Sequence, residues 1–114
     1  MSEIDEISKN IASKINDNNK NYSFDLGLII TIGSIIISII QLLIKCNVFG
    51  RNLEDRIKNP GVLDKILLRK AIKNKLPKEY SHLRPQVQDL ILEKTKELSS
   101  EKFQSIVKEA ENAK

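Results

Sequence analysis

LGLIITIGSIIISIIQLLI, residues 26–44, carries no charged side chain, and thirteen of its nineteen residues are isoleucine or leucine. An α-helix of this length is about 28 Å long, close to the thickness of the hydrocarbon core of a bilayer. The alternative is a buried core helix, but a chain of 114 residues with three Phe and no Trp has little apolar material to cover such a helix on every side. The stretch therefore predicts a transmembrane span, with interfacial flanks extending over residues 22–46.

Charges differ between the two sides of the predicted span. Residues 1–25 contain three Lys or Arg against five acidic residues, whereas residues 45–114 contain sixteen against ten. Lys and Arg concentrate in the cytoplasmic segments of membrane proteins, so we expect the N-terminus outside and the C-terminus in the cytoplasm. The apolar stretch lacks a following Ala-x-Ala site, which disfavours a cleaved signal peptide and favours a retained anchor.

The N-terminal segment, residues 1–20, predicts a short amphipathic helix followed by a polar loop. Its apolar stripe recurs at helical spacing and consists of Ile4, Ile7, Ile11 and Ile15. Because such a narrow stripe cannot stabilise an isolated helix, it requires a partner surface. The acidic residues beside it favour another protein over a membrane interface.

The C-terminal segment, residues 52–114, predicts a small basic helical domain. A short helix capped by Asn52 comes first, then a helix capped by Asn59 that runs to about Asn74. A third helix begins near Pro85, and a last one is capped at Ser99 and Ser100. With the span and the N-terminal helix, the expected fold class is all-α.

Six residues of the span are neither Ile nor Leu, and five of them share one face. At about 100° per residue they lie within an arc of about 80°. Small side chains let helices approach closely, and hydroxyls or amides hydrogen-bond across the contact. This pattern predicts a packing seam against another transmembrane helix, of a second copy or of a different protein; the alternative is hydrogen bonding back to the same helix. The seam residues are Gly27, Thr31, Ser34, Ser38 and Gln41.

Basic residues concentrate in the segment 65–78. They are Lys65, Arg69, Lys70, Lys73, Lys75 and Lys78. Four interpretations of this cluster are open. It is either a solvated helix face that also acts as a positive-inside signal, or a binding site for anionic lipid, for an acidic protein, or for nucleic-acid phosphates. The segment has no interleaved aromatic residues or Gly-rich loop, which disfavours sequence-specific nucleic-acid recognition.

Few other residues suggest chemistry. Cys46 follows the span at a position typical of palmitoylation, although a small interfacial residue is the simpler interpretation. The glycosylation sequon Asn21-Tyr22-Ser23 lies too close to the predicted bilayer for easy modification. With a single His and a single Cys, the chain offers no recognisable metal site or catalytic constellation. We therefore expect neither an enzyme nor a bound cofactor.

Together these features predict a single-pass membrane protein that serves as a structural or accessory subunit of a membrane-associated assembly. A virion membrane, or an organellar or bacterial membrane complex, would suit the sequence. Its expected partners are the lipid bilayer and other membrane protein subunits or a second copy of itself. One alternative is a membrane-tethered adaptor that binds anionic lipid or nucleic acid through residues 65–78, and another is a small homo-oligomeric channel.

Overall fold

The structure is a computed structural model that describes residues 2–18 and 26–113. Over these residues the chain forms six α-helices, one 3₁₀ helix and no strand, which confirms the predicted all-α fold class. The 3₁₀ helix, Lys78–Leu83, joins the fourth α-helix to the fifth. The α-helices are α1 (Glu3–Asn18), α2 (Leu26–Lys45), α3 (Leu53–Lys58), α4 (Val62–Lys75), α5 (Arg84–Lys96) and α6 (Ser100–Asn112).

Side-chain caps define where three of the helices begin. Ser2, Asn52 and Ser99 each accept a hydrogen bond from the backbone amide three residues further on, at 3.1, 2.8 and 3.2 Å. A cap satisfies one of the amides that the first turn of a helix leaves unpaired. The predicted starts of α3 and α6 are thereby confirmed.

The start of α4 differs from its prediction. Asn59 ends α3, and Gly61 is the residue that precedes the helix. The carboxylate of Asp64 accepts a hydrogen bond from the Gly61 amide at 2.9 Å, which fixes the first turn from inside the helix. The prediction that Asn59 caps this helix is therefore wrong.

One side of α2 forms the centre of the bundle, because α1, α3, α4 and α6 all pack against it. On the opposite side, Leu26 and Ile30 keep 67% and 65% of their surface exposed. The other helices thus cover α2 on one side and leave the opposite side uncovered. This agrees with the expectation that so short a chain has too little apolar material to cover the helix on every side. The buried residues of α2 are Leu28, Ile29, Ile32, Ile35, Ile36, Ile39, Ile40 and Leu43.

The isoleucine stripe of α1 is covered by the chain's own helices. Ile11 and Ile15 are fully buried, and α1 contacts α5 and α6 as well as α2. The amide of Ile4 donates a hydrogen bond to the carboxylate of Glu109 on α6 at 3.1 Å. The required partner surface therefore lies within the chain, in place of the separate protein that the acidic residues suggested.

The C-terminal helices complete the same core. Phe103, Ile106, Val107 and Ala110 of α6 are buried, as their spacing predicts. The buried residues of α4 and α5 that meet this core are Leu67, Leu68, Ala71, Ile72, Val87, Leu90 and Ile91.

Candidate functional site

The open side of α2 forms the floor of a groove of about 570 Å³. Its walls come from the start of α1 and from two residues, Lys75 and Ala113, at the ends of α4 and α6. The floor of the groove is made of Leu26, Ile29, Ile30, Gly33, Ser34, Ile37, Ser38 and Gln41. We call this surface the α2 groove.

Three of the five predicted seam residues line the α2 groove. Ser34, Ser38 and Gln41 are half-buried in it, whereas the exposed Gly27 and the half-buried Thr31 lie outside its lining. The amide nitrogen of Gln41 donates to two carbonyl oxygens at the end of α6, at 3.0 and 3.1 Å. The last turn of a helix has more carbonyl oxygens than backbone amides to pair them, so the Gln41 amide acts as an additional cap that holds α6 against α2.

Gly33, which lies off the predicted seam, marks a close approach of α1 to α2. A Cβ atom at this position would lie 3.3 Å from the Ser8 hydroxyl and 3.6 Å from the Ile4 side chain. Ser8 is fully buried, and its hydroxyl has no hydrogen-bond partner among the described residues. The sequence gives no signal for this crossing, because the two small residues lie on different helices.

A buried ion network closes the carboxyl end of α2. Arg56 is 2% exposed; its Nε donates to Asp64 at 2.7 Å and its Nη1 donates to the Leu43 carbonyl at 2.8 Å. Arg51 donates to the second carboxylate oxygen of Asp64 at 3.2 Å. The network ties the last turn of α2 to α3 and α4. In the sequence these residues are indistinguishable from surface charges.

The exposed side of α3 is held to the start of α6 by a second, solvent-accessible set of contacts. The Glu54 carboxylate accepts a hydrogen bond from the Ser100 hydroxyl at 2.8 Å and pairs with Lys58 at 3.0 Å. The hydrogen bond from Ser100, followed by the one from Lys58, lowers the pKa of Glu54 below its ordinary value. In the same helix, the Arg51 guanidinium lowers the pKa of Asp55.

All six residues of the predicted anionic-surface cluster are exposed: Lys65, Arg69, Lys70, Lys73, Lys75 and Lys78. None of them forms a salt bridge with another described residue. The first five lie on α4, and the sixth begins the 3₁₀ helix. The structure therefore leaves this charge available at the surface.

The remaining candidate residues are placed as follows. Cys46 is a free, half-buried thiol that packs against the core just after α2. The sequon at residues 21–23 lies outside the described residues. Across residues 2–18 and 26–113, no group of three His, Cys, Asp or Glu side chains is arranged to hold a metal ion.

Among the described helices, α2 alone is long and apolar enough to cross a membrane. The core helix of a soluble protein and a signal sequence share that length and composition, and in this structure part of α2 is a core helix. No protein-family model matches the chain, and no match was found among curated proteins or solved structures. The fold and the α2 groove together define an all-helical bundle with an uncovered apolar face.

Proposed function

We propose that the chain is a structural or accessory subunit of a membrane-associated assembly, and that it docks onto an apolar helix of another subunit through the α2 groove. The observation that carries the proposal is the composition of the groove floor. The solvent side of an ordinary core helix is rich in charged residues, whereas α2 has none before Lys45. An apolar partner is the occupant that suits such a surface.

The small residues of the groove favour a helix as that occupant. Ser34 and Ser38 leave room for a second backbone to approach, and their hydroxyls offer hydrogen bonds across the contact. The complex would bury Leu26 and Ile30. Burial of such a side chain stabilises the complex by about 1.5–3 kcal/mol when it is complete.

A single-pass arrangement, with the N-terminus outside and the C-terminus in the cytoplasm, is a second candidate, favoured by the length and composition of α2. It requires α1 to leave its contacts with α5 and α6, since a spanning α2 would separate them by the width of the bilayer. The two arrangements are therefore mutually exclusive states of one chain.

Photo-crosslinking in the native membrane fraction tests the docking proposal. A photoreactive amino acid at Ser38 should join the chain to one distinct polypeptide, and the same group at the exposed Ser105 of α6 should not. With the probe at Ser38, Ser34→Leu fills the groove beside it and should abolish that product, whereas Ser13→Leu on the outside of α1 should preserve it. Crosslinking only to itself would favour a homo-oligomer, and equal yields at Ser38 and Ser105 would contradict the proposal.

Labelling of introduced cysteines distinguishes the two membrane arrangements. In a Cys46→Ser background, Ser13→Cys and Ser105→Cys place one thiol on α1 and one on α6, both at exposed positions. A membrane-impermeant maleimide added to sealed vesicles should modify both thiols or neither if the bundle stays intact. Modification of only one would establish a spanning α2.

A further inference from the structure

The outer surface of α4 exposes large apolar side chains. Val62, Leu63 and Ile66 keep 80%, 46% and 51% of their surface exposed. Phe49 is fully exposed and lies two residues before Arg51, which contacts the first turn of α4. These four side chains therefore lie at the same end of the bundle.

The same surface has an excess of positive charge. Between residues 62 and 78 there are six Lys or Arg and one acidic residue, Asp64. Asp64 is buried and paired with Arg56, so the exposed charge of this segment is entirely positive. Such a field attracts an anionic surface.

Apolar and basic residues share one stripe of α4. Val62, Ile66, Arg69 and Lys73 follow the spacing i, i+4, i+7, i+11, which places them within an arc of about 60°. Over a length of about 16 Å the stripe changes from apolar at its start to basic at its end.

The basic end of the stripe opens into a groove of about 480 Å³ between α4 and the start of α5. Arg69, Lys73 and Arg84 line it, together with Gln88 and the single carboxylate of Asp89. The Nε atom of Arg84 is buried and has no hydrogen-bond partner among the described residues. A phosphate group bound in the groove would accept hydrogen bonds from the accessible nitrogen atoms of Arg69, Lys73 and Arg84.

We propose that the outer face of α4 docks onto an anionic phospholipid membrane, with a lipid phosphate held between Arg69, Lys73 and Arg84. Val62, Ile66 and Phe49 enter the headgroup region, where apolar side chains gain from leaving water. The exposed apolar residues favour a membrane over nucleic acid, whose phosphate backbone would leave them in water. This inference rests on α4 and is independent of the α2 groove.

Vesicle co-sedimentation tests the proposal with the full-length chain. Vesicles of phosphatidylcholine with about one-third phosphatidylserine should retain the protein far better than pure phosphatidylcholine, and added salt should release it. Lys70→Glu/Lys73→Glu should weaken binding at least about thirtyfold. Each basic residue near the membrane contributes about 1 kcal/mol of binding free energy, and two are removed. Lys102→Glu/Lys108→Glu makes the same charge change on the exposed side of α6 and should leave binding nearly intact.

A second variant separates insertion from charge attraction. Phe49→Ser/Ile66→Ser removes two exposed apolar side chains without changing charge, and should weaken binding to the anionic vesicles. The proposal would be overturned if binding did not depend on phosphatidylserine content. It would also be overturned if Lys70→Glu/Lys73→Glu and Lys102→Glu/Lys108→Glu lost vesicle affinity equally. Binding of inorganic phosphate without vesicle binding would assign a soluble phosphate ligand, and binding of duplex DNA without vesicle binding would assign nucleic acid; either result also overturns it.

Discussion

The two sides of α2 are both free of charged residues before Lys45, but they differ in composition and in surroundings. The covered side packs against four helices and consists of Ile and Leu alone. None of the Gly, Ser, Thr and Gln residues of the helix is buried, although Gly33 lies against α1 and Gln41 contacts α6. Hydrophobic content therefore does not distinguish a core helix from a membrane span, whereas the angular distribution of small residues shows which side the chain covers itself.

Breaking the ion network at the end of the covered side should have the largest effect on stability. Asp64→Ala leaves the buried Arg56 without its carboxylate and removes the acceptor of the Gly61 amide. The expected loss in the free energy of unfolding is about 3–5 kcal/mol, since an unpaired buried charge is costly. Chemical denaturation followed by far-UV circular dichroism measures it.

Asp89→Ala removes an exposed carboxylate and is the matched control, with an expected change within about 0.5 kcal/mol. If both variants lost less than about 1 kcal/mol, α2 would not be anchored through Arg56.

Truncating one isoleucine on each side of α2 compares the two sides directly. Ile35→Ala removes a fully buried side chain and should cost about 2–5 kcal/mol, because it removes apolar contacts and leaves a cavity. Ile30→Ala removes a mostly exposed one and should change stability by no more than about 0.5 kcal/mol. Equal losses in the same denaturation experiment would mean that something else covers the open side.

Substitutions at the crossing of α1 over α2 should have the next largest effect on the free energy of unfolding. Gly33→Leu forces a side chain into the space held by Ser8 and Ile4, with an expected cost of about 1–3 kcal/mol from overpacking. Gly27→Leu places the same side chain at an exposed position of the same helix and should be neutral or stabilising. Ser8→Ala should also be neutral or stabilising, because it removes a buried hydroxyl without a partner.

The sequence predicts the helices well because their signals are local. The cap at Ser99 and the spacing from Phe103 to Ala110 involve neighbours within one helix, and both are confirmed. The covering of α2 by α1 depends on contacts between residues far apart in the chain, so the apolar run predicted a span and gave no sign of a bundle. The pairing of Arg56 with Asp64 was missed for the same reason.

The prediction of a packing seam on α2 also lacked information about contacts with other helices. Periodicity places Ser34, Ser38 and Gln41 on one face, and all three line the α2 groove. It could not indicate that Gln41 reaches the end of α6, nor that Gly33 receives α1, because both depend on which helix lies beside α2.

The smallest expected effect belongs to the exposed contacts that hold α3 to α6. Hydrogen bonds from Ser100 and Lys58 lower the pKa of Glu54 below 4.5 in the folded state. A carboxylate with a lowered folded pKa stabilises the fold above its unfolded pKa, and that contribution is lost as the pH falls through the folded value. Glu54→Gln should therefore be slightly less stable than the natural chain near neutral pH, and this difference should fade as the pH falls below about 4.5 and vanish once the pH is below the lowered pKa of Glu54.

The same pH series for Glu101→Gln, which replaces an exposed carboxylate on α6, gives the background against which the Glu54→Gln difference is measured. If the Glu54→Gln difference instead persisted at low pH, the Ser100 contact would act through the neutral carboxyl group. Glu54 and its partners remain accessible to water, whereas Arg56 and Asp64 are buried. The loss of stability in Glu54→Gln should therefore stay well below that in Asp64→Ala, because water can replace the lost contacts only at the exposed site. Equal losses of stability in the Asp64 and Glu54 variants at neutral pH would contradict this contrast between the buried and exposed attachments of α3.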